Sequence, residues 1–539
     1  MEPQQHVSWR QKQSRKMGIG GLPTYQCLLS SSLIHILILI LGANSTRLDI
    51  DGVVLEAKPY KDIPRPSKLE FARAFMPGGE FHDASVFDYA AAMRSRYGDI
   101  FIMPGMFGRK DWVTTFSTKD IETVFRNEGN WPEREFFPSI TYFRTHLRPD
   151  VYGESVGLIS AQAASWGKLR SAVNPIFMQP KGLKAYYEPL SNINNDFIER
   201  IKEIRDARTL EVPDDFMEEI NRLVFDSLGL VAFDRPMGLI RRNRDNPDAL
   251  TMFRYTKQVF RYVFELDVKP SMWRVVSTPT YRKMMRLLDD SLLLSQKMIK
   301  DTEDSLEKRR QAGEQVNRNS MLQRMMEVDP KMAVIMSLDV LFAGVDATSN
   351  LLSAVLLCLA KNPDKQAKLR EELLKIMPTK DTLLNDETMK DMPYLRAVIK
   401  EALRCYPNGF GTLRTCPTDI TLSGYQVPKG SEVALGFNVL LHDHAYYPQA
   451  DKFLPERWLR DPQTGKKTPI SAFSYLPFGF GPRMCIGKRL VDLEIETSIA
   501  KLIRNFQVEF NYDASRPYKT FVFMEPAIPF KFKFTDVDQ

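Results

Sequence analysis

Residues 478–487 read FGFGPRMCIG and run directly into KRLVDLEIETSIAKLIRNF, a stretch with helical spacing. Cys485 is one of only five cysteines in the chain. Gly479, Gly481 and Pro482 precede it, Arg483 stands just before it, and Gly487 follows. Such a thiol can be packing, a nucleophile or a metal ligand. At the start of a helix, unpaired N–H groups and the dipole favour an anion, so the residues predict a lowered thiol pKa. Gly479 and Gly481 permit a tight turn, and Gly487 lets a flat object lie close to the backbone. Arg483 points a cation toward something anionic. A nucleophile usually has a histidine base, and none lies near in sequence; a thiolate ligand needs only the pocket.

The rest of the composition narrows the field. Cys27, Cys358, Cys405, Cys416 and Cys485 are odd in number, widely spaced and free of any CxxC pair, which argues against a disulfide scaffold or a zinc cluster. Six histidines, of which only His442 and His444 lie close together, supply a multi-histidine site poorly. A net charge of +7 suits an acidic partner or an anionic membrane surface, and is too diffuse to argue for nucleic acid. No GxGxxG follows a strand and no GxxxxGK[ST] occurs, so the chain shows no obvious site of its own for NAD, FAD or ATP.

Residues 1–62 read as a targeting or anchor region with a hinge, and 63–539 as one enzyme domain. Arg10, Lys12, Arg15 and Lys16 precede the apolar run Leu33–Leu41, and no acidic residue occurs from residue 3 to Arg47. Basic, serine-bearing and acid-poor reads as a mitochondrial presequence; basic then apolar also reads as a secretory signal or a membrane anchor. The apolar run is about half of the roughly 20 residues that a bilayer requires. Ile63–Ser67, IPRPS, reads as a stiff hinge.

Beyond it the pattern predicts a mainly α fold with a minor β region. Helical spacing covers 362–377, 392–406 and the stretch after Cys485; strand-like pieces lie near residue 100, after Asp419 and near the end. The segment Lys331–Ala360 predicts one long buried helix of about 45 Å, bracketed by Pro330 and Pro363. Its apolar flanks enclose Gly344, Asp346, Thr348, Ser349 and Asn350. Asp346 must have a partner or face water, and Gly344 implies close approach of another group. The polar middle is either a satisfied buried cluster or the wall of an active site.

At this point the residues resemble a known family. FGFGPRMCIG is similar to the haem-binding signature of the cytochromes P-450. EALR (Glu401–Arg404) resembles the family's E-x-x-R helix, and LPERW (Leu454–Trp458) its meander, with Arg457. AGVDATS (Ala343–Ser349) resembles the oxygen-activating stretch of the long central helix over haem, and WGKLR (Trp166–Arg170) the helix that meets the propionates. These motifs come in the family's order over roughly 65–535.

The resemblance implies haem b with Cys485 as axial thiolate. It implies that Trp166, Arg170, Arg414 and Arg483 hold the propionates, that Phe478 packs near the sulfur, and that Glu401, Arg404 and Arg457 form a structural ion network. Asp346 and Thr348 become the candidates for delivering protons to bound O2. One departure stands out: Ala347 directly follows the acid where most members have threonine. On a helix one step turns about 100°, so Thr348 does not point where residue 347 points. Asp346 is expected to work through ordered water, a shifted Thr348 or a substrate hydroxyl.

Electrons must come from a partner. EGNWPER (Glu128–Arg134) resembles mitochondrial members. Arg396 and Lys400 match the basic positions those members present to ferredoxin, and Lys488 and Arg489 extend that face. The overall look is closest to insect mitochondrial members. The expected enzyme is a monooxygenase on the inner mitochondrial membrane, fed by a ferredoxin with its reductase. It inserts one oxygen atom into a hydrophobic substrate, steroid-like or xenobiotic. The alternatives are an endoplasmic-reticulum enzyme fed by a flavin reductase, a haem-thiolate isomerase or dehydratase needing no electrons, and a non-enzymatic carrier.

Overall fold

The computed structural model describes residues 47–48, 54–241, 246–314 and 319–537. The presequence or anchor reading, with Cys27, lies outside the described residues. The chain divides into a unit ending at Ala57 and one running from Lys58 to Gln539. In the first, Arg47–Leu48 pairs antiparallel with Val54–Leu55. The boundary falls ahead of IPRPS, which packs as part of the second unit. Ile63 is buried there, Ile102 N–H donates to Pro64 O, and Ser67 caps the helix that begins at Lys68.

Eight helices and four strands of the larger unit position the site. They are α1 Ala163–Phe177, α2 Phe216–Ala232, α3 Pro247–Val263, α4 Pro279–Gln311, α5 Pro330–Lys361, α6 Pro363–Ile376, α7 Pro393–Cys405 and α8 Lys488–Asn505. The strands are β1 Ile100–Met103, β2 Trp112–Thr115, β3 Thr412–Thr415 and β4 Glu432–Leu435. They form one sheet in the order β1-β2-β4-β3. β1 pairs antiparallel with β2, β2 parallel with β4, and β4 antiparallel with β3, which sets Arg414 opposite Val433.

α5 is the predicted long helix. Pro330 stands in its first turn, where a missing N–H costs nothing, and the Asp329 side chain accepts from Lys331 N–H at 2.9 Å. Its composition would suit a membrane span, yet most of it is buried among α2, α7 and α8. The expected close approach at Gly344 comes from α2: a Cβ there would meet Leu228 Cδ1 at 2.6 Å. The middle of the helix is thus packed tightly against α2 at this point.

α7 carries the ion network. Glu401 and Arg404 are fully buried, with Arg404 Nη2 donating to Glu401 Oε1 at 2.9 Å and Arg457 Nε reaching the same oxygen at 3.4 Å. Trp458 Nε1 donates to the other oxygen at 2.8 Å, and Arg404 also donates to the carbonyls of Leu441, Ala450 and Lys452. Every charge has a partner, so removing one member strands another and costs about 3–5 kcal/mol.

α8 buries a different carboxyl, Glu494, which is 1% exposed and has neither oxygen hydrogen-bonded. The neighbouring Ser227 hydroxyl is given to Leu223 O at 3.0 Å. Burial pushes the Glu494 carboxyl up to about 8 from 4.5. A carboxyl held protonated in the folded state stabilises fully below its unfolded value, and that stability is lost as pH rises through the folded value. Denaturant unfolding should therefore show the protein losing roughly 3–5 kcal/mol between pH 4.5 and 8 from this group. Glu494→Gln should flatten that slope; an unchanged slope would contradict the assignment.

Candidate functional site

The turn before α8 is built by its glycines. Gly479 and Gly481 have φ of +75° and +72°, which other residues rarely adopt, and Cys485 N–H closes the turn onto Phe478 O at 2.8 Å. Gly481 is doubly constrained, because a Cβ there would lie 2.3 Å from Glu128 Oε1. At Gly487 a Cβ would meet only the Cys485 sulfur, at 3.8 Å, and otherwise open space. The turn thus leaves the sulfur bare on one side.

That side is a cavity of about 480 Å³. Cys485 counts as exposed because the cavity wall is open surface, yet the sulfur lies deep inside the protein. The expected lowering of its thiol pKa is not what the structure gives. α8 starts only at Lys488, and burial pushes the thiol up, against the Gly487 N–H and the charges of Arg170 and Arg134. The helix terminus is too far along the chain to outweigh desolvation.

Around the sulfur stands an arginine rim. Trp166, Arg170, Arg414, Phe478 and Arg483 all line the cavity, as does Arg134. Arg414 from β3 pairs with Glu128 and donates to Thr412 Oγ1 at 3.0 Å. Arg170 from α1 donates to Asn174 Oδ1 at 2.7 Å. Arg483 lies over the Trp166 ring, 4.2 Å from its centroid, and donates to Pro132 O and Ala161 O, but its Nη1 is buried without a partner. Burial, then Arg134, Arg414 and Arg170, pushes Arg483 down to about 8. Arg134, whose Nε is also unpartnered, goes down to about 10 for the same reasons. Three buried cations and the half-buried Arg134 share one carboxylate, so the rim is built for a ligand that brings anionic groups. A haem bearing two carboxylates and an iron that takes one thiolate fits these residues. Among the described residues, no group of three or more His, Cys, Asp or Glu could hold a metal.

α5 supplies another wall through Ala343, Gly344, Ala347 and Thr348. The Thr348 hydroxyl is buried without a partner, and so is Asn408 Oδ1, whose Nδ2 donates to Ala347 O at 3.0 Å. Asp346 does not line this cavity. Two helical steps separate it from Thr348, about 200°, and it borders a second, polar cavity of about 640 Å³ instead. There the Lys257 ammonium from α3 holds its carboxylate. The two cavities share an aromatic partition in which Phe260 meets Phe523 at 4.7 Å and Phe264 meets Phe521 at 4.9 Å. These rings, with Phe136 and the 408–413 segment, give the cavity a largely hydrophobic lining.

Away from the cavities, Lys400 and Arg489 are exposed. Burial first, and then Lys467, Lys488 and Arg396, lowers the Lys400 pKa, which marks a cluster of cations on one face. Arg396 is held by Glu496 at 3.1 Å, and Lys488 pairs with Asp492. Sequence reasoning missed Arg134, Asn408 as a polar group, Glu128 as the partner of Arg414, and Lys257. Arg134 and Glu128 stood within the quoted EGNWPER; nothing in the sequence pointed α3 at Asp346.

A family model described as Cytochrome P450 matches residues 68–534. The chain is 72% identical over 488 residues to "Probable cytochrome P450 12d1 distal, mitochondrial" of Drosophila melanogaster, covering 90% of this chain and 94% of the relative. It is 44% identical to "Probable cytochrome P450 12a5, mitochondrial" of the same fly and 42% to "Cytochrome P450 CYP12A2" of Musca domestica, each over 90% of this chain and 92% of the relative. Because Gly481 seats Glu128 against Arg414, Gly481→Ala should cost about 1–3 kcal/mol in denaturant unfolding. In a double-mutant cycle that cost should shrink when Glu128 is already alanine; strict additivity would contradict the contact.

Proposed function

The chain belongs to the cytochrome P450 family, and on that premise we propose how this haem-thiolate monooxygenase receives its protons and electrons. The enzyme carries haem b, uses O2 and a hydrophobic substrate, and is mitochondrial. Haem supplies the O2 binding and the oxidising chemistry, with electron density from an axial thiolate. Cys485 would be that thiolate. Arg483, Arg134, Arg170 and Arg414 would hold the propionates, with Trp166 stacked beneath Arg483. Phe478 would shield the sulfur, and Glu401, Arg404 and Arg457 would keep the proximal side rigid.

Proton delivery is divided between two faces of α5. On the polar side Lys257 holds Asp346, and Glu525, its carboxyl raised chiefly by burial, borders the same cavity. On the cavity side Thr348 Oγ1 and Asn408 Oδ1 flank Ala347 with no partner of their own. That observation carries the reading: the hydroxyl missing at residue 347 is replaced by two unpartnered polar groups beside it. Thr348 hands on the proton, Asn408 orients the water that brings it, and Asp346 collects protons from the polar cavity.

The electron donor is an acidic ferredoxin docking on the cationic face of Lys400, Lys467, Lys488 and Arg489. Lys400 and Arg489 serve it most directly, since Arg396 and Lys488 already have carboxylate partners. The aromatic lining supports a steroid-like or foreign lipophilic substrate.

Thr348→Val should lower product formed per electron pair at least about tenfold while substrate still binds. Ala347→Thr should raise it; unchanged coupling in both would sink the assignment. Lys400→Glu with Arg489→Glu should cut ferredoxin-driven turnover severalfold and flatten its salt dependence. Turnover that stays at the parent rate would place the donor elsewhere.

A further inference from the structure

The helix that carries Trp166 and Arg170 of the rim starts on a residue whose side chain does not cap it. Gln162 is the N-cap of α1, yet its amide bonds none of the first N–H groups of the helix. It reaches across the chain instead. Gln162 Oε1 accepts from Arg134 N–H at 2.7 Å, and Gln162 Nε2 donates to Arg134 O at 2.9 Å. The same oxygen accepts from Arg483 Nη2 at 3.0 Å, and the same nitrogen donates to Ser160 O at 3.2 Å. A primary amide offers two acceptor and two donor places, so all four are filled. Pairing with both a backbone N–H and a backbone C=O also fixes which end is oxygen. The corner is held against its own preference, since Ala163, the next residue, takes φ +47°, where side chains are rare.

Three segments of the rim thus meet on one amide. The stretch before α1 brings Arg134, α1 brings Trp166 and Arg170, and the turn before α8 brings Arg483. Arg483 is held through two of its nitrogens. Its Nε donates to Pro132 O at 2.8 Å, and its Nη2 donates to Ala161 O at 2.8 Å as well as to Gln162. Nη1 is left without a partner in the cavity wall. We infer that Gln162 is a positioning residue for the haem carboxylates, setting Arg134 and Arg483 in register so that Arg483 Nη1 is the donor presented to a carboxylate. This rests on the reading that the rim holds the propionates. The task needs an acceptor and a donor together at the end of a two-carbon stem, which a hydroxyl or an apolar side chain does not supply. An ionised acid of the same size has acceptors alone: it would pair with Arg483 but face the carbonyls of Arg134 and Ser160 without a proton.

The full-length holoenzyme tests this through haem transfer to excess apomyoglobin and a redox titration of the haem. Gln162→Leu should speed haem loss at least about tenfold, as a lost hydrogen bond to a charged group predicts. That effect should shrink in an Arg483→Gln background, because Gln162 acts through the arginine. Gln162→Glu keeps the size and places a negative charge beside Arg483, so it should shift the ferric–ferrous balance at least about threefold toward ferric. A packing role alone leaves that balance at the parent value. Faster loss in Arg483→Gln with parent-like loss in Gln162→Leu would overturn this inference alone, as would an unmoved balance in Gln162→Glu. Parent-like loss in Arg483→Gln would overturn the rim reading and this inference with it. The redox arm decides the matter if Gln162→Leu fails to fold.

Discussion

Buried positive charge around one bare sulfur is the constraint on which this structure depends. Arg134, Arg170, Arg414 and Arg483 line the same cavity, and Glu128 is the carboxylate that neutralises one of them. Burying a cation without a partner is costly, and the depressed Arg483 and Arg134 show that cost directly. A haem would resolve it, with the arginines holding its carboxylates and Cys485 its iron. The rest of the proximal side follows from holding this rim still. Gly481 makes room for Glu128, Trp166 backs Arg483, and the Glu401–Arg404–Arg457 network fixes the loops beyond α7.

The long central helix solves a different problem, keeping water and substrate apart. One face of α5 presents small residues and Thr348 to the apolar cavity, and another presents Asp346 to a polar one. Aromatic rings from the end of α3, the turn just after it and the 521–523 segment seal the boundary. The separation lets the Asp346 carboxyl be matched to Lys257 instead of facing the apolar cavity, where it would lack a partner.

Much of this was legible in the sequence, for physical reasons that differ by element. α5 was readable because thirty apolar-rich residues between two prolines have the length and pattern of one long helix. The 478–487 turn was readable because positive φ demands glycine and the cysteine stood beside an arginine. The Glu401–Arg404 pair was visible through the family resemblance, and its closeness through i,i+3 spacing on one helix. What stayed hidden depends on contacts between distant segments. β2 and β3 lack strong alternation and were not foreseen; they are strands because β4 pairs with both. Lys257 reaches Asp346 only after α3 has packed on α5, and Glu128 finds Arg414 across 286 residues of sequence. The raised Cys485 thiol was missed because burial, which a sequence does not show, outweighs the helix terminus.

The measurement that bears most directly on this account is the optical spectrum of the purified enzyme, reduced and exposed to carbon monoxide. If Cys485 is the thiolate on haem iron, the Soret band is strongly red-shifted. A shorter-wavelength band that persists in gently prepared, substrate-bound enzyme, or a protein that takes up no haem, would contradict it.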